Sequence, residues 1–226
     1  PDREGWAARV TVPRVQVDLA LERNGDTRGS AALLIEPLEP TRGLRLLISP
    51  VFEVRDARWR PDPTGGNPDA PLLTAPDGDE TTSDPPPDEP VPLTGEPIHF
   101  VQERHDRRMQ DDRFEPWVTV TLPRTVAAGE RFILELAYEG KLVKRLPGTN
   151  DFLLKDTLYW RPRHPDTRSN RLDLTFRVPE RYRVASAGRL AEERVEGDTR
   201  IMRWVTSEPV RSMAFHYGRF DVTEVD

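Results

Sequence analysis

The feature that most constrains the fold is a succession of short strand-like segments in the last third of the chain, residues 151–220. These segments are rich in branched and aromatic residues, and Pro, Gly or charged residues bound them, which is the pattern of short strands joined by turns. The predicted strands are 152–154, 158–162, 172–179, 182–190, 200–205 and 213–220. A chain that ends in this way folds as a β domain.

The first two thirds of the chain show the same pattern, with one interruption. Residues 15–21 alternate between apolar and more polar residues, which is the period of two of a half-buried strand, and residues 132–138 alternate more strictly. Further strands are predicted at 30–35, 44–48, 51–59, 98–103 and 117–122, whereas 123–130 is predicted to turn. With about a dozen strands and no long amphipathic helix, the chain is predicted to be all-β, with a curved antiparallel sheet or a saddle-like β-sandwich.

The interruption is an acidic, proline-rich segment at 61–97. It holds eleven of the chain's 23 prolines and nine acidic residues, with no Lys or Arg. Proline cannot donate to a β-ladder and the acidic residues repel one another, so we expect an exposed insertion with no packed core. The insertion also accounts for the net charge of −6, because the rest of the chain sums to a slightly positive charge.

Composition and motifs exclude several classes of function. The chain has no cysteine, which rules out disulfides, thiol catalysis and thiolate metal sites. No apolar run approaches the ~18 residues of a membrane helix, and no concentrated basic stretch indicates nucleic-acid binding. Of the four histidines, none stands in a zinc-protease spacing, and no nucleophile elbow, P-loop or dinucleotide motif occurs. We therefore predict no catalytic and no metal-ligating residue in this chain, and its compartment stays open.

The order of the strands and turns resembles the N-terminal β-domain of zinc aminopeptidases of the aminopeptidase N type, which are gluzincin metallopeptidases. The resemblance is carried by a strand that ends in Leu122-Pro123, by Gly129-Glu130 and by a strand that ends in Tyr138-Glu139-Gly140. The opening hairpin at 15–35 and the closing strands of 151–220 add to it. The resemblance implies one non-catalytic β domain over 1–226, with 61–97 inserted.

The resemblance also implies what this chain lacks. The zinc of the family comes from a His-Glu-x-x-His helix, and a Gly-x-Met-Glu-Asn strand holds the substrate amine; neither motif occurs here. The zinc is therefore expected in a catalytic domain that is missing from this chain. That domain would be the partner of this one, and the parent protein would act on peptides. The chain also begins without Met, so we expect an excised or processed piece of a longer protein.

Three residues are implied at the edge of a substrate cleft: Asn150, Trp160 and His164. The family places a Gln or Glu that reaches into the cleft about ten residues before an aromatic-Pro segment, and Asn150 is the nearest match. An amide at this place would weaken amine recognition, so the parent is either a peptidase or a divergent, inactive relative. Trp160 and His164 belong to the aromatic-Pro segment itself. The local sequence around His164 favours the alternative of a surface turn with ion pairs.

Two functions remain open. In the first, the chain packs on its own catalytic domain and forms one wall of the peptide cleft. In the second, it is a free-standing β-sandwich module that binds a glycan or a protein partner. The first predicts a large uncovered apolar face and the second does not. An autonomous hydrolase is disfavoured because no catalytic constellation can be assembled.

Overall fold

A computed structural model describes residues 8–74, 86–103, 117–141, 148–149, 151–154, 159–167 and 169–220. In these ranges the chain forms fourteen strands and no helix, which confirms the predicted all-β fold. The strands are β1 (Val10–Leu21), β2 (Asp26–Pro37), β3 (Thr41–Leu47), β4 (Phe52–Pro61), β5 (Glu96–Pro97), β6 (His99–Gln102), β7 (Trp117–Val126), β8 (Phe132–Lys141), β9 (Phe152–Leu154), β10 (Arg171–Pro179), β11 (Arg183–Ser186), β12 (Arg189–Glu196), β13 (Thr199–Val205) and β14 (Phe215–Gly218).

Eight strands form one large sheet, in the order β12-β13-β10-β1-β2-β8-β4-β5. Two small sheets accompany it, β11-β14-β9 and β3-β7-β6. The strand pairs are antiparallel, as predicted, with the exception of β1 and β10, which run parallel with Val17 opposite Leu174. A parallel pair needs a long crossover connection, and the eight strands β2 to β9 lie between these two along the chain.

The main core lies between the inner face of the large sheet and the two small sheets. Alternate residues of β1 and of β8 enter it, and both sets are those that the period of two predicted: Val15, Val17, Leu19 and Leu21, with Phe132, Leu134, Leu136 and Tyr138. The small sheets add Leu46, Val120 and Phe215 among others. Successive side chains point to opposite faces of a strand, so the intervening residues face outward.

Three predicted strand boundaries are wrong. The predicted strand 158–162 is irregular where it is described, because its residues are fixed by single contacts to two different sheets rather than by a ladder. The predicted strand 182–190 divides into β11 and β12, which lie in different sheets; the chain turns between them at Gly188, whose φ of 95° suits glycine. Finally, β7 continues through Pro123 to Val126, beyond the last residue that pairs with β6.

Between Pro61, which ends β4, and the edge strand β5, the described residues of the insertion lie on the outer face of the large sheet. Leu72 and Leu73 are buried there against Leu34 of β2 and Ile133 of β8, in a second apolar cluster. The expectation of no packed core is therefore wrong for these two leucines, because the central strands are apolar on both faces and offer them a partner. Residues 65–69 are exposed, as expected, and residues 75–85 lie outside the described ranges.

A buried carboxylate on β1 connects this insertion to the sheet. Asp18 is 2% exposed and accepts hydrogen bonds from Nε and Nη2 of Arg177 on β10, at 2.8 and 2.9 Å. The same carboxylate accepts a hydrogen bond from the backbone N–H of Val91 at 3.2 Å, and Arg177 donates to the carbonyl of Pro87 at 3.0 Å. One ion pair thus joins two strands of the sheet and the backbone of the insertion.

A second buried carboxylate repeats this arrangement on β8. Glu135 accepts hydrogen bonds from Nε of Arg60 at 2.7 Å, from the backbone N–H of Thr94 at 2.9 Å and from that of Gly95 at 3.0 Å. Each carboxylate has a positive partner and backbone donors, which is the condition for burying a charge without a large free-energy loss.

We expect Asp18→Ala to lower the free energy of unfolding by about 3–5 kcal/mol, because it leaves Arg177 buried without a counter-charge. Urea unfolding at neutral pH measures this. The control is Glu192→Ala, which removes a partner of Arg194 from an ion pair whose side chains are 43% and 45% exposed. That change should cost less than about 1 kcal/mol. Equal losses in the two variants would contradict the role assigned to Asp18.

We expect Leu72→Ala to lower the free energy of unfolding by about 2–5 kcal/mol, because it opens a cavity in the second apolar cluster. The same urea titration measures it. Leu38→Ala is the matched control, since Leu38 is 52% exposed and its truncation should change stability by no more than about 0.5 kcal/mol. A loss as small for Leu72 as for Leu38 would show that the insertion is not packed on the sheet.

Candidate functional site

Residues 159–167, which include two of the three predicted cleft-edge residues, connect the two small sheets. The backbone N–H of Leu47 donates to the carbonyl of Arg163 at 2.8 Å, and the N–H of Arg163 donates back to Leu47 at 3.0 Å. This bridge holds the segment against the end of β3. On the other side, Nε1 of Trp160 donates to the carbonyl of Met213 at 3.2 Å, just before β14. The segment is therefore anchored in both small sheets.

Trp160 is a core residue. Its side chain is 0% exposed, and its ring meets that of Phe215 edge-on, with centroids 5.0 Å apart. Burial of the ring together with a satisfied indole N–H is the usual arrangement for a structural tryptophan. The side chain does not reach the surface, so Trp160 can affect a cleft only by positioning the residues around it.

The backbone at Tyr159 has an unusual conformation. Its φ of 48° is the one left-handed value at a non-glycine position among the described residues. Such a conformation costs of order 1–3 kcal/mol and is retained where the surroundings hold it. Here the carbonyl of Tyr159 accepts a hydrogen bond from the N–H of Ser49 at 2.8 Å, and the Arg163 guanidinium lies 5.7 Å from the tyrosine ring. This short stretch is built to a defined shape that sequence reasoning missed.

The His164 side chain is buried, with 2% of it exposed. The surface position that the local sequence favours is therefore wrong for this side chain. The turn is present, with the N–H of Thr167 donating to the carbonyl of His164 at 3.3 Å, but its exposed corner is Pro165 and Asp166 and the imidazole points inward. Neither ring nitrogen makes a hydrogen bond of good geometry with the described residues. Burial lowers the pKa of His164, against the opposing effects of Asp166 and of the Ala8 backbone.

Asn150 lies outside the described residues, so only its neighbours are placed. Asp151 accepts a hydrogen bond from the backbone N–H of Arg219 at 3.1 Å, and its own N–H donates to the hydroxyl of Thr149 at 3.1 Å. A Cβ at position 218 would overlap the Asp151 carboxylate, so this close approach requires Gly218. The start of β9 is thereby held at the end of β14. The cleft-edge roles of Asn150, Trp160 and His164 stay predictions.

The described residues contain no group of three or more His, Cys, Asp or Glu side chains arranged to hold a metal ion. In the same ranges, no helix meets the length and apolarity that a membrane span requires. The two buried carboxylates, Asp18 and Glu135, are held by arginines and backbone donors.

The described residues form a concavity of about 710 Å³, whose lining the sequence does not single out. It lies on the outer face of the large sheet, between residues 68–72 and strands β10, β12 and β13. The sequence indicates this concavity only through the polar residues that alternate with apolar ones in β1 and β10, such as Arg14, Arg171 and Asp173. In the sequence alone, such residues look like any solvated face of a sheet.

Comparison with models of known protein families finds no match for this chain. No curated protein sequence matches it either. Solved structures do match. The M1 zinc metallopeptidase from Deinococcus radiodurans has a TM-score of 0.63 and 16% sequence identity over 93% of this chain and 43% of its own. A point mutant of a two-domain M1 zinc metallopeptidase, bound to L-arginine, has a TM-score of 0.64 and 16% identity over the same shares.

At this level of identity the likeness shows the fold alone. The chain has the fold of one part of these M1 zinc metallopeptidases and spans only about two fifths of their length.

We expect the stability of the chain to depend on the protonation of His164. Because burial lowers its pKa, the unfolded chain binds the proton at a higher pH than the folded chain does. Neutral His164 makes its full contribution to the free energy of unfolding above the ordinary pKa of about 6.5. That contribution is lost as the pH falls toward the lower pKa that His164 has in the folded chain. His164→Asn should therefore make the fall in unfolding free energy between about pH 7.5 and 5.5 shallower.

The control for this measurement is His216→Asn, which removes an exposed histidine of β14 and should leave the pH profile as in the wild type. Parallel profiles for the wild type and His164→Asn would contradict a buried, neutral His164.

Proposed function

We propose that this chain is the non-catalytic N-terminal β-domain of a zinc metallopeptidase of the aminopeptidase N type. It packs on its own catalytic domain and forms one wall of the peptide cleft. The observation that carries the proposal is the likeness in fold, over 92% of this chain, to less than half of M1 zinc metallopeptidase chains. The order of the strand, Leu-Pro, Gly-Glu and Tyr-x-Gly motifs in the sequence supports the same family.

In this proposal the zinc belongs to the part of the protein that this chain does not include. The sequence has no His-Glu-x-x-His motif, and its described residues offer no metal-holding group. The chain contributes shape through an edge between the two small sheets, which includes residues 159–167. Asn150 touches the substrate there, whereas Trp160 and His164 act from the interior as positioning residues.

The exposed apolar side chains indicate what kind of contact the chain makes with the proposed catalytic domain. Only four large apolar side chains of the described residues are exposed: Leu38, Val51, Val101 and Val195. They lie on four different elements and form no large apolar face. Interfaces between domains of one chain are commonly more polar than permanent subunit interfaces, so we propose a largely polar contact with the catalytic domain.

The second candidate is a free-standing β-sandwich that binds a glycan or a protein. It is favoured by the lack of a large apolar face among the described residues, because a domain that is stable alone does not need another domain to cover such a face. The fold likeness carries more weight, because it covers 92% of this chain.

We expect the coding sequence beyond Asp226 to contain a His-Glu-x-x-His motif followed by a more distant glutamate, because the zinc ligands must come from there. The longer protein should bind zinc, measured by elemental analysis, and hydrolyse aminoacyl reporter substrates, whereas the 226-residue chain should do neither. A longer protein with the motif glutamate replaced by glutamine is the control, and it should keep its zinc but lose activity. A stop codon or a second β module at this place would overturn the proposal and favour the binding module.

A further inference from the structure

An arginine-rich groove on the outer face of the large sheet has no part in the proposed function. It consists of the concavity of about 710 Å³ and an adjoining one of about 280 Å³, which share Arg14, Pro68 and Arg171. We call the two together the outer groove. Strands β1, β10, β13 and β12 form its floor, and residues 66–72 of the insertion form one wall.

The outer groove carries a surplus of positive charge on a chain whose net charge is −6. Its arginines are Arg14, Arg131, Arg171, Arg189 and Arg203. Two aspartates line it as well, Asp69 and Asp173, which leaves a surplus of three positive charges. By contrast, the concavity of about 570 Å³ beside Arg177 is balanced, with three arginines and three acidic residues.

Three of the five arginines already have structural partners. Arg14 donates to the carbonyls of Asn67 and Ala70, at 3.2 and 2.8 Å, and so holds the wall of the groove. Arg203 makes two hydrogen bonds to Asp173, at 2.8 and 2.7 Å, and Arg131 makes one to Glu36 at 2.8 Å. These three shape the groove.

Arg171 and Arg189 are exposed. Within the described part of the chain, neither guanidinium group makes an ion pair or a hydrogen bond. The strand register places Arg171 directly opposite Arg14 in the parallel pair. Like charges in directly opposite positions repel, and burial together with this neighbour lowers the pKa of Arg14, although Asp173, Asp69 and Asp62 act against the shift. A bound anion would relieve that repulsion.

Arg189 lies two strands away on the same face. It is opposite Val205 of β13, and Val205 is opposite Asp173 of β10. Neighbouring strands are about 4.8 Å apart, and Arg189 is level with Asp173, two residues beyond Arg171, so the Cα atoms of Arg171 and Arg189 are separated by roughly 12 Å. A small ion can contact both guanidinium groups only if the two side chains bend toward each other and bring their positive charges together, whereas an extended molecule with several acid groups can contact both without that repulsion.

We infer that the outer groove binds an extended anion with several carboxylate or phosphate groups, which Arg171 and Arg189 hold at two points. A guanidinium donates two parallel hydrogen bonds to either type of acid group. This site is independent of the cleft edge between the small sheets.

The test uses a fluorescein-labelled peptide of six glutamates and measures its binding to the 226-residue chain by fluorescence anisotropy at low salt. We expect the double variant Arg171→Gln/Arg189→Gln to bind about a hundredfold more weakly, because each of the two lost charge-assisted contacts contributes about a factor of ten. The matched control is Arg42→Gln/Arg181→Gln, which removes two exposed arginines outside the groove and should bind within about twofold of the wild type. Thermal unfolding confirms that both variants are folded.

Competition identifies the acid group. If unlabelled tripolyphosphate displaces the peptide more strongly than unlabelled hexaglutamate does, the preferred ligand is a phosphate; the reverse order indicates a carboxylate. Inorganic monophosphate at the same concentration should displace it much less, because it can contact both arginines only by bringing their positive charges together. Displacement by monophosphate as strong as that by tripolyphosphate or hexaglutamate, equal losses in the two double variants, or no binding of the labelled peptide to the wild type would overturn the inference.

Discussion

The structure depends on the way in which the central strand β1 is covered on both of its faces. Its inward residues enter the main core, and its outward residues hold the insertion: Arg14 donates to two carbonyls, Gln16 accepts two N–H groups and Asp18 pairs with Arg177. A proline-rich segment makes few ladder hydrogen bonds of its own, so its backbone groups need side-chain partners before it can cover a sheet. The buried Asp18 and Glu135 satisfy this need and are themselves neutralised by arginines.

This arrangement separates the segment proposed as a cleft edge from the groove proposed as an anion site. The segment proposed as a cleft edge lies between the two small sheets, where Trp160 and the bridge between Leu47 and Arg163 fix it. The outer groove lies on the opposite face of the large sheet, and the insertion supplies its wall. The large sheet is the rigid element behind both, so a ligand in the groove and a partner at the cleft edge need not compete for the same surface.

Most of the inner half of the fold was predictable. Phe132, Leu134, Leu136 and Tyr138 alternate in the sequence and all reach the core, because the side-chain period of a strand is a local property. The division of 182–190 was harder to predict, since a turn at Gly188 and a continuous strand look alike until the two halves are assigned to different sheets. Two of the predicted cleft-edge residues, Trp160 and His164, lie in the described segment 159–167, and their role stays a prediction. The alternative of a surface turn is wrong for the His164 side chain, which is buried, because charged neighbours such as Asp166 describe the corner of a turn and not the direction of its other side chains.

The sequence by itself determined that the chain is all-β, where most of its strands lie and which of their faces is apolar, since these follow from composition and from a period of two. Tertiary structure alone decided what the polar faces and the insertion do. Asp18 meets Arg177 across 159 positions of the chain, and Gln16 meets Leu72 across 56. Partners so far apart in the sequence cannot be recognised from a local pattern, because the same residue types form a buried ion pair in one protein and two solvated charges in another.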